Sequence, residues 1–182
     1  MLIILLTMFT LNSCDHFKDQ KYTLEIGEDA PIFLVNDFKN NETINLEDLK
    51  GKIILLHFWA LWCPPCIHEM PTINKLAKEI NNDSFKILAI TVDSKKQNLK
   101  IKDFIEEHKL YNLSFIHDYD FEIAKLYQVT GFPESILIDS EGKIAGIYDS
   151  VDGKLKSRII ADRNWTDPKI IEFINGLLPD LQ

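Results

Sequence analysis

The chain is short of cysteine, of positive charge and of long apolar runs, and each shortage removes a class of protein. Three cysteines in 182 residues are too few for a disulfide-framework domain, and too few for a tetrathiolate zinc site. Twenty Lys and Arg against 28 Asp and Glu leave a net charge of −8. That is the wrong sign for a phosphate-binding footprint, so no nucleic-acid partner is expected. The apolar run that opens the chain, in MLIILLTMFTLNSC, is too short to span a bilayer as a helix. Repeats and low-complexity tracts are lacking as well. What remains is 46% hydrophobic and 26% charged, an ordinary composition for one folded domain with a real core.

The opening run has the length of a signal-peptide apolar region. It ends in Leu11-Asn12-Ser13-Cys14, which resembles the lipobox of bacterial lipoproteins, where the cysteine is acylated. The resemblance implies a lipoprotein signal peptide or truncated signal anchor over 1–13, lipidation at Cys14, a tether over 14–26 and a folded domain over 27–182. It places that domain outside the cytoplasm, anchored to a membrane. Cys63 and Cys66 are then left as one pair.

Hydrophobic patterning supplies the elements. IFLVNDF (32–38) alternates as a strand, and a short strand and a helical turn follow before residue 52. IILLHFW (53–59) is nearly continuous and rich in β-formers, the pattern of a central strand covered on both faces. A helix is predicted from Cys63 to Ile80, bent at Pro71. FKILAITV (85–92) is a second buried strand, and 99–108 is an amphipathic helix. SFIHD is a short strand, and Asp120 is the predicted cap of a helix over 121–127. ESILIDSEGKIAGIY reads as a hairpin turning at Ser140-Glu141-Gly142, 149–166 as polar and irregular, and the Asp167-Pro168 pair as the start of a last helix. Helices alternating with buried strands and a closing hairpin specify an α/β domain with a central mixed β-sheet flanked by helices.

Cys63 falls where the central strand hands over to a helix, and Cys66 lies three residues on, on the same face. The helix N-terminus favours a thiolate on Cys63 and lowers its pKa. Cys66, in the first turn, is placed to resolve a mixed disulfide. A staple across so small a loop would constrain the unfolded chain little. Zinc would need a second pair of ligands, and haem attachment would need His directly after Cys66, where Ile67 stands. A redox-active pair is the reading that uses the position. Pro64 and Pro65 supply no N–H to the Cys63 sulfur, which raises the thiol pKa and makes the couple reducing.

HFWALWCPPC, followed by GFPESILIDSEGKI, resembles the thioredoxin superfamily. Within it the likeness is to the TlpA/ResA/CcmG (DsbE) group of membrane-tethered thiol-disulfide oxidoreductases, over residues 27–178. The resemblance implies a thioredoxin-like fold, Cys63 as nucleophile, Cys66 as resolver and a cis Phe132–Pro133 peptide facing the disulfide. No cofactor beyond the redox-active Cys63–Cys66 disulfide and no metal are expected. It implies disulfide-bearing protein substrates, either apocytochrome c or copper-site assembly proteins, and recharging by a membrane reductant of the DsbD/CcdA type. A monomer is expected. A copper-binding metallochaperone of the Sco type, on the same fold, is the alternative; its cysteines are spaced CxxxC.

Glu69 matches a glutamate of ResA-like proteins associated with the active-site protons, and as a part-buried carboxylate it would accept the Cys66 proton. His57 is a candidate proton relay beneath the pair. Trp62, Pro64 and Phe132 are expected to meet the substrate, Trp59 and Trp62 to shape the rim around Cys63, and His68 to lie on the surface.

Overall fold

The computed structural model describes residues 23–179; Cys14 and the residues before it lie outside that span. The sheet grows outward from β3 (Ile53–Trp59), every residue of which is buried. β4 (Phe85–Thr91) pairs with it in parallel, and β6 (Glu134–Ile138) antiparallel on its other side. A parallel neighbour requires a crossover, and α1 (Pro64–Ile80) supplies it. β5 (Ser114–His117) extends the sheet beyond β4. On the far edge of β6, β7 (Ile144–Ala145) pairs with Leu137 and Ile138, while β10 (Ile159–Ile160) pairs with Glu134 and Ser135. β1 (Leu34–Asn36) and β2 (Thr43–Asn45) form a separate two-stranded sheet, shorter than the strand predicted over 32–38. The result is the mixed sheet between helices that the thioredoxin resemblance implies.

Alternation along β3 sorts its side chains to two layers. His57 faces Glu69 of α1, and the Trp59 ring packs on Phe104 of α2 (Asn98–Glu107). Phe58 points the other way and meets Tyr127, just past α3 (Glu122–Leu126). α4 (Pro168–Leu177) packs on α1, with Ile170 and Ile174 buried and Asp167 accepting from the Lys169 N–H as predicted. α1 runs on through Pro71 and ends at Asn81 in the left-handed conformation.

Three expectations need correction. Asp120 does not cap α3: the carboxylate of Asp118 takes the N–H groups of Ile123 and Ala124, at 3.1 and 2.8 Å. The chain enters α3 through a left-handed Phe121, which carries Asp118 back beneath the helix start. The second arm of the predicted hairpin breaks at Gly146, leaving β7 on the sheet and β8 (Ile147–Asp149) paired with β9 (Lys154–Lys156). A Cβ at Gly146 would sit 3.3 Å from Ile26 and 3.4 Å from Leu155, so a larger residue at the crossing would press lightly on those two side chains. The segment 149–166, predicted irregular, therefore carries β9 and β10.

Because the two Asp118 bonds satisfy helix-end N–H groups inside the protein, Asp118→Ala should cost about 1–2 kcal/mol. Asp120→Ala should stay within about 0.5 kcal/mol. Urea unfolding of both variants checks the assignment, and equal losses would reverse it.

Candidate active site

Cys63 is the residue before the first turn of α1, extended at φ −104°, and its Sγ accepts the Cys66 N–H at 3.3 Å. The two sulfurs are bonded, with the Cα atoms 5.3 Å apart. Pro64 and Pro65 fill the first helical positions, where a missing N–H costs the helix nothing. Both are exposed. Cys63 is 4% exposed and Cys66 fully buried, so only the first presents any surface. The loop from β3 is held from the side by Asp93, whose carboxylate takes the Leu61 N–H at 2.8 Å and the Thr91 hydroxyl at 2.6 Å.

Glu69 lies one turn beyond Cys66 and is sealed in, at 2% exposure. Its Oε2 accepts the Arg163 backbone N–H at 2.8 Å and the Trp165 indole N–H at 3.0 Å. Its Oε1 has no hydrogen-bond partner and stands 3.6 Å from His57 Nε2, which also has none. The other imidazole nitrogen, Nδ1, lies 2.9 Å from the Ser135 hydroxyl, because Ser135 sits opposite His57 in the β3–β6 register. Burial pushes the Glu69 pKa up to about 7, against the two N–H donors that favour the carboxylate. Burial also drives His57 down to about 3, so the imidazole is neutral at physiological pH. A surface cleft of about 390 Å³, lined by His68, Glu69, Thr72, Asp162, Arg163 and Asn164, lies over this part of α1.

The loop bringing Arg163 and Trp165 over α1 is fixed by a second acid. Asp149, buried at the end of β8, accepts from Arg163 Nε and Nη2 at 3.0 and 3.1 Å and from Lys156 Nζ at 2.5 Å. The Arg163 guanidinium beside it holds its carboxyl well below the usual carboxylate range. Bidentate pairing of this kind fixes geometry as well as charge.

On the other side of the disulfide loop the Phe132–Pro133 peptide is cis. Trp62 is 59% exposed and meets the Phe132 ring edge-on, 5.5 Å between centroids. Glu134, next in the chain, is fully buried; it takes Arg158 Nη1 at 2.6 Å on one oxygen and the Thr130 N–H at 2.9 Å on the other.

The structure thus gathers Cys63, Cys66, Glu69 and His57 at one end of β3 and α1, and brings Trp62 against Phe132. Trp59 is not at the rim: it is wholly buried among Phe104 and Phe115, since its strand position points it into the layer under α2. His68 is exposed as expected, 3.8 Å from Asp162. Ser135, Arg163, Trp165 and Asp93 were not foreseen. Only Trp165, an indole inside a polar segment, carried any sequence signal.

Raising Glu69 from 4.5 to about 7 makes the native protein bind a proton the unfolded chain has released. The Glu69 contribution to stability therefore falls as pH rises from about 5 to 7 and levels off above, by roughly 3 kcal/mol, while His57, held neutral by burial, contributes in the opposite sense below about pH 6.5. In oxidised Glu69→Gln the amide needs no proton, so the variant should gain stability relative to wild type between pH 5 and pH 8. Denaturant unfolding at pH 5 and pH 8 compares the two; a stability difference between variant and wild type that does not change with pH would refute the assignment.

The AhpC/TSA family model matches residues 26–147. ResA, a thiol-disulfide oxidoreductase of Bacillus thuringiensis subsp. konkukian, is 38% identical over 138 residues, 75% of this chain and 75% of that protein. The protein of the same name from Bacillus subtilis is 32% identical over 142 residues, 78% and 75% of the two chains. The thioredoxin domain of a thiol-disulfide oxidoreductase from Bacteroides vulgatus superposes with a TM-score of 0.63 at 25% identity, covering 85% of this chain and 98% of that one. The chain belongs to the AhpC/TSA family, on a thioredoxin-like fold, among relatives that include the ResA thiol-disulfide oxidoreductases.

Proposed function

We propose that the protein is an extracytoplasmic, membrane-tethered thiol-disulfide reductase. The observation that carries this reading is the Cys63–Cys66 pair at the head of α1, with Cys63 keeping slight exposure, Cys66 none, and a protonatable carboxyl one turn further along the helix. In the reduced protein the Cys63 thiolate attacks a substrate disulfide, forming a mixed disulfide and releasing one substrate thiol. Cys66 then gives its proton to Glu69 and attacks Cys63 Sγ. The Cys63–Cys66 bond forms, the second substrate thiol leaves, and two electrons have passed to the substrate. A carboxyl titrating near 7 is matched to that task, since it is part-ionised at the working pH and gains a proton readily.

Trp62 and Phe132, paired beside Cys63, and the exposed Pro64 offer the surface for the substrate polypeptide. The substrate class is protein disulfides, in apocytochrome c haem-site pairs or copper-site assembly proteins. The Cys63–Cys66 pair itself is the redox group, recharged by a membrane dithiol conduit of the DsbD/CcdA type. Tethering would come from Cys14 and the segment before it; among the described residues no helix is long and apolar enough to cross a membrane. The Cys66 N–H is the backbone donor to Cys63 Sγ, because the prolines between have none to give. With no further N–H groups from the prolines the thiolate is stabilised less than it would be by an insert that donates, which favours the disulfide and a reducing couple.

Cys66→Ser should stop the reaction after the first step and accumulate a Cys63-linked adduct with the client, identified by mass; a protein that forms no adduct with disulfide-bearing extracytoplasmic proteins is not this reductase. In glutathione buffers the protein should remain oxidised where a DsbA-type oxidant, near −120 mV, is already reduced. The opposite order would make it an oxidant.

A further inference from the structure

Two buried polar atoms in the site are left without a hydrogen-bond partner, Glu69 Oε1 and His57 Nε2, and they face each other at 3.6 Å. Leaving either unpaired in an apolar core carries the desolvation cost of that atom with no bond to offset it. The second carboxyl oxygen is committed to the Arg163 and Trp165 N–H groups, so a proton arriving on Glu69 must sit on Oε1, toward the imidazole. Histidine at this place is a property of this chain's β3, and Ser135 across the strand pair gives its Nδ1 a partner that both donates and accepts.

We propose that His57 is the positioning partner of Glu69, and that Ser135, His57 and Glu69 act as one proton-holding unit that reverses its hydrogen bonds when it is loaded. When Glu69 is ionised, the Ser135 hydroxyl donates to Nδ1 and Nε2–H donates to Oε1. When Glu69 is protonated, Oε1–H donates to Nε2 and Nδ1–H donates to Ser135 Oγ. The two states differ by one proton, taken from the Cys66 thiol or from solvent. The imidazole holds a single proton in both, because its burial opposes a charge. Among the described residues, Glu69 is the acid that faces the imidazole. Glu69 is faced also by Asp162, which disfavours its ionisation, and by Arg163, which favours it. In this arrangement His57 lowers the cost of both states of the carboxyl, and the tautomer reports which one is present.

The inference rests on the reductase reading for its purpose, but its test needs no substrate, so it fails or stands separately from adduct trapping. The full chain, labelled with ¹⁵N-histidine, is titrated from pH 5 to 9 in the oxidised state, and the His57 ring nitrogens are followed by NMR. The expected result is a change from the Nδ1–H to the Nε2–H tautomer as pH rises, with one midpoint near that of Glu69. Glu69→Gln places an amide N–H₂ against Nε2 and should hold the Nδ1–H form at every pH. A wild-type tautomer that stays fixed, a doubly protonated ring in this range, or a change that persists in Glu69→Gln would each overturn the proposal.

Discussion

A carboxyl group buried in the apolar layer between β3 and α1 sets the terms for the rest of this structure. Taking a carboxylate out of water is costly unless it is paired or protonated, and Glu69 receives both remedies in part. Two N–H donors hold one oxygen, while the other faces a neutral imidazole. The group is left near the balance point between its two protonation states. A fully paired carboxylate would be a fixed charge and a fully unpaired one a fixed acid; neither could exchange a proton readily near neutral pH.

Much of the C-terminal third exists in relation to that carboxyl. The β8–β9 hairpin carries Asp149 and Lys156 to Arg163, and the guanidinium pinned there turns the Arg163 N–H and the Trp165 indole down onto α1. α4 follows at once and packs against α1. Opposite them, β10 and β7 share the outer edge of β6, fixing Ser135 under His57 and the Phe132–Pro133 peptide beside Trp62. The two halves of the site, the Glu69–His57 side and the Trp62–Phe132 side, thus meet through a single strand pair, β3 with β6.

Local signals were strong where the chemistry is local. The Cys63 and Cys66 spacing, the prolines between them and the helix they begin are contiguous, so their roles could be read from neighbours in the chain. β3, β4, α1, α2 and α4 were legible because a continuous apolar run or a helical stripe leaves few ways to bury itself. The cap of α3 was misassigned because a left-handed Phe121 lets an acid further upstream reach the helix end. Trp59 and Trp62 look alike in sequence, yet strand alternation buries one and the loop exposes the other.

The amino-acid sequence by itself determined the Cys63–Cys66 pair, the α/β architecture and the presence of a carboxyl one turn away. These depend on spacing along one strand and one helix, and spacing is written in the chain. Tertiary structure decided that Glu69 is buried, that Arg163 and Trp165 take one of its oxygens, and that His57 with Ser135 faces the other. Those contacts join residues as much as 96 positions apart, in segments whose polar composition gave no periodic pattern to read. A proton affinity is set by such neighbours and by the exclusion of water, and both come into being only when the sheet, α1 and the 161–165 loop close on one another.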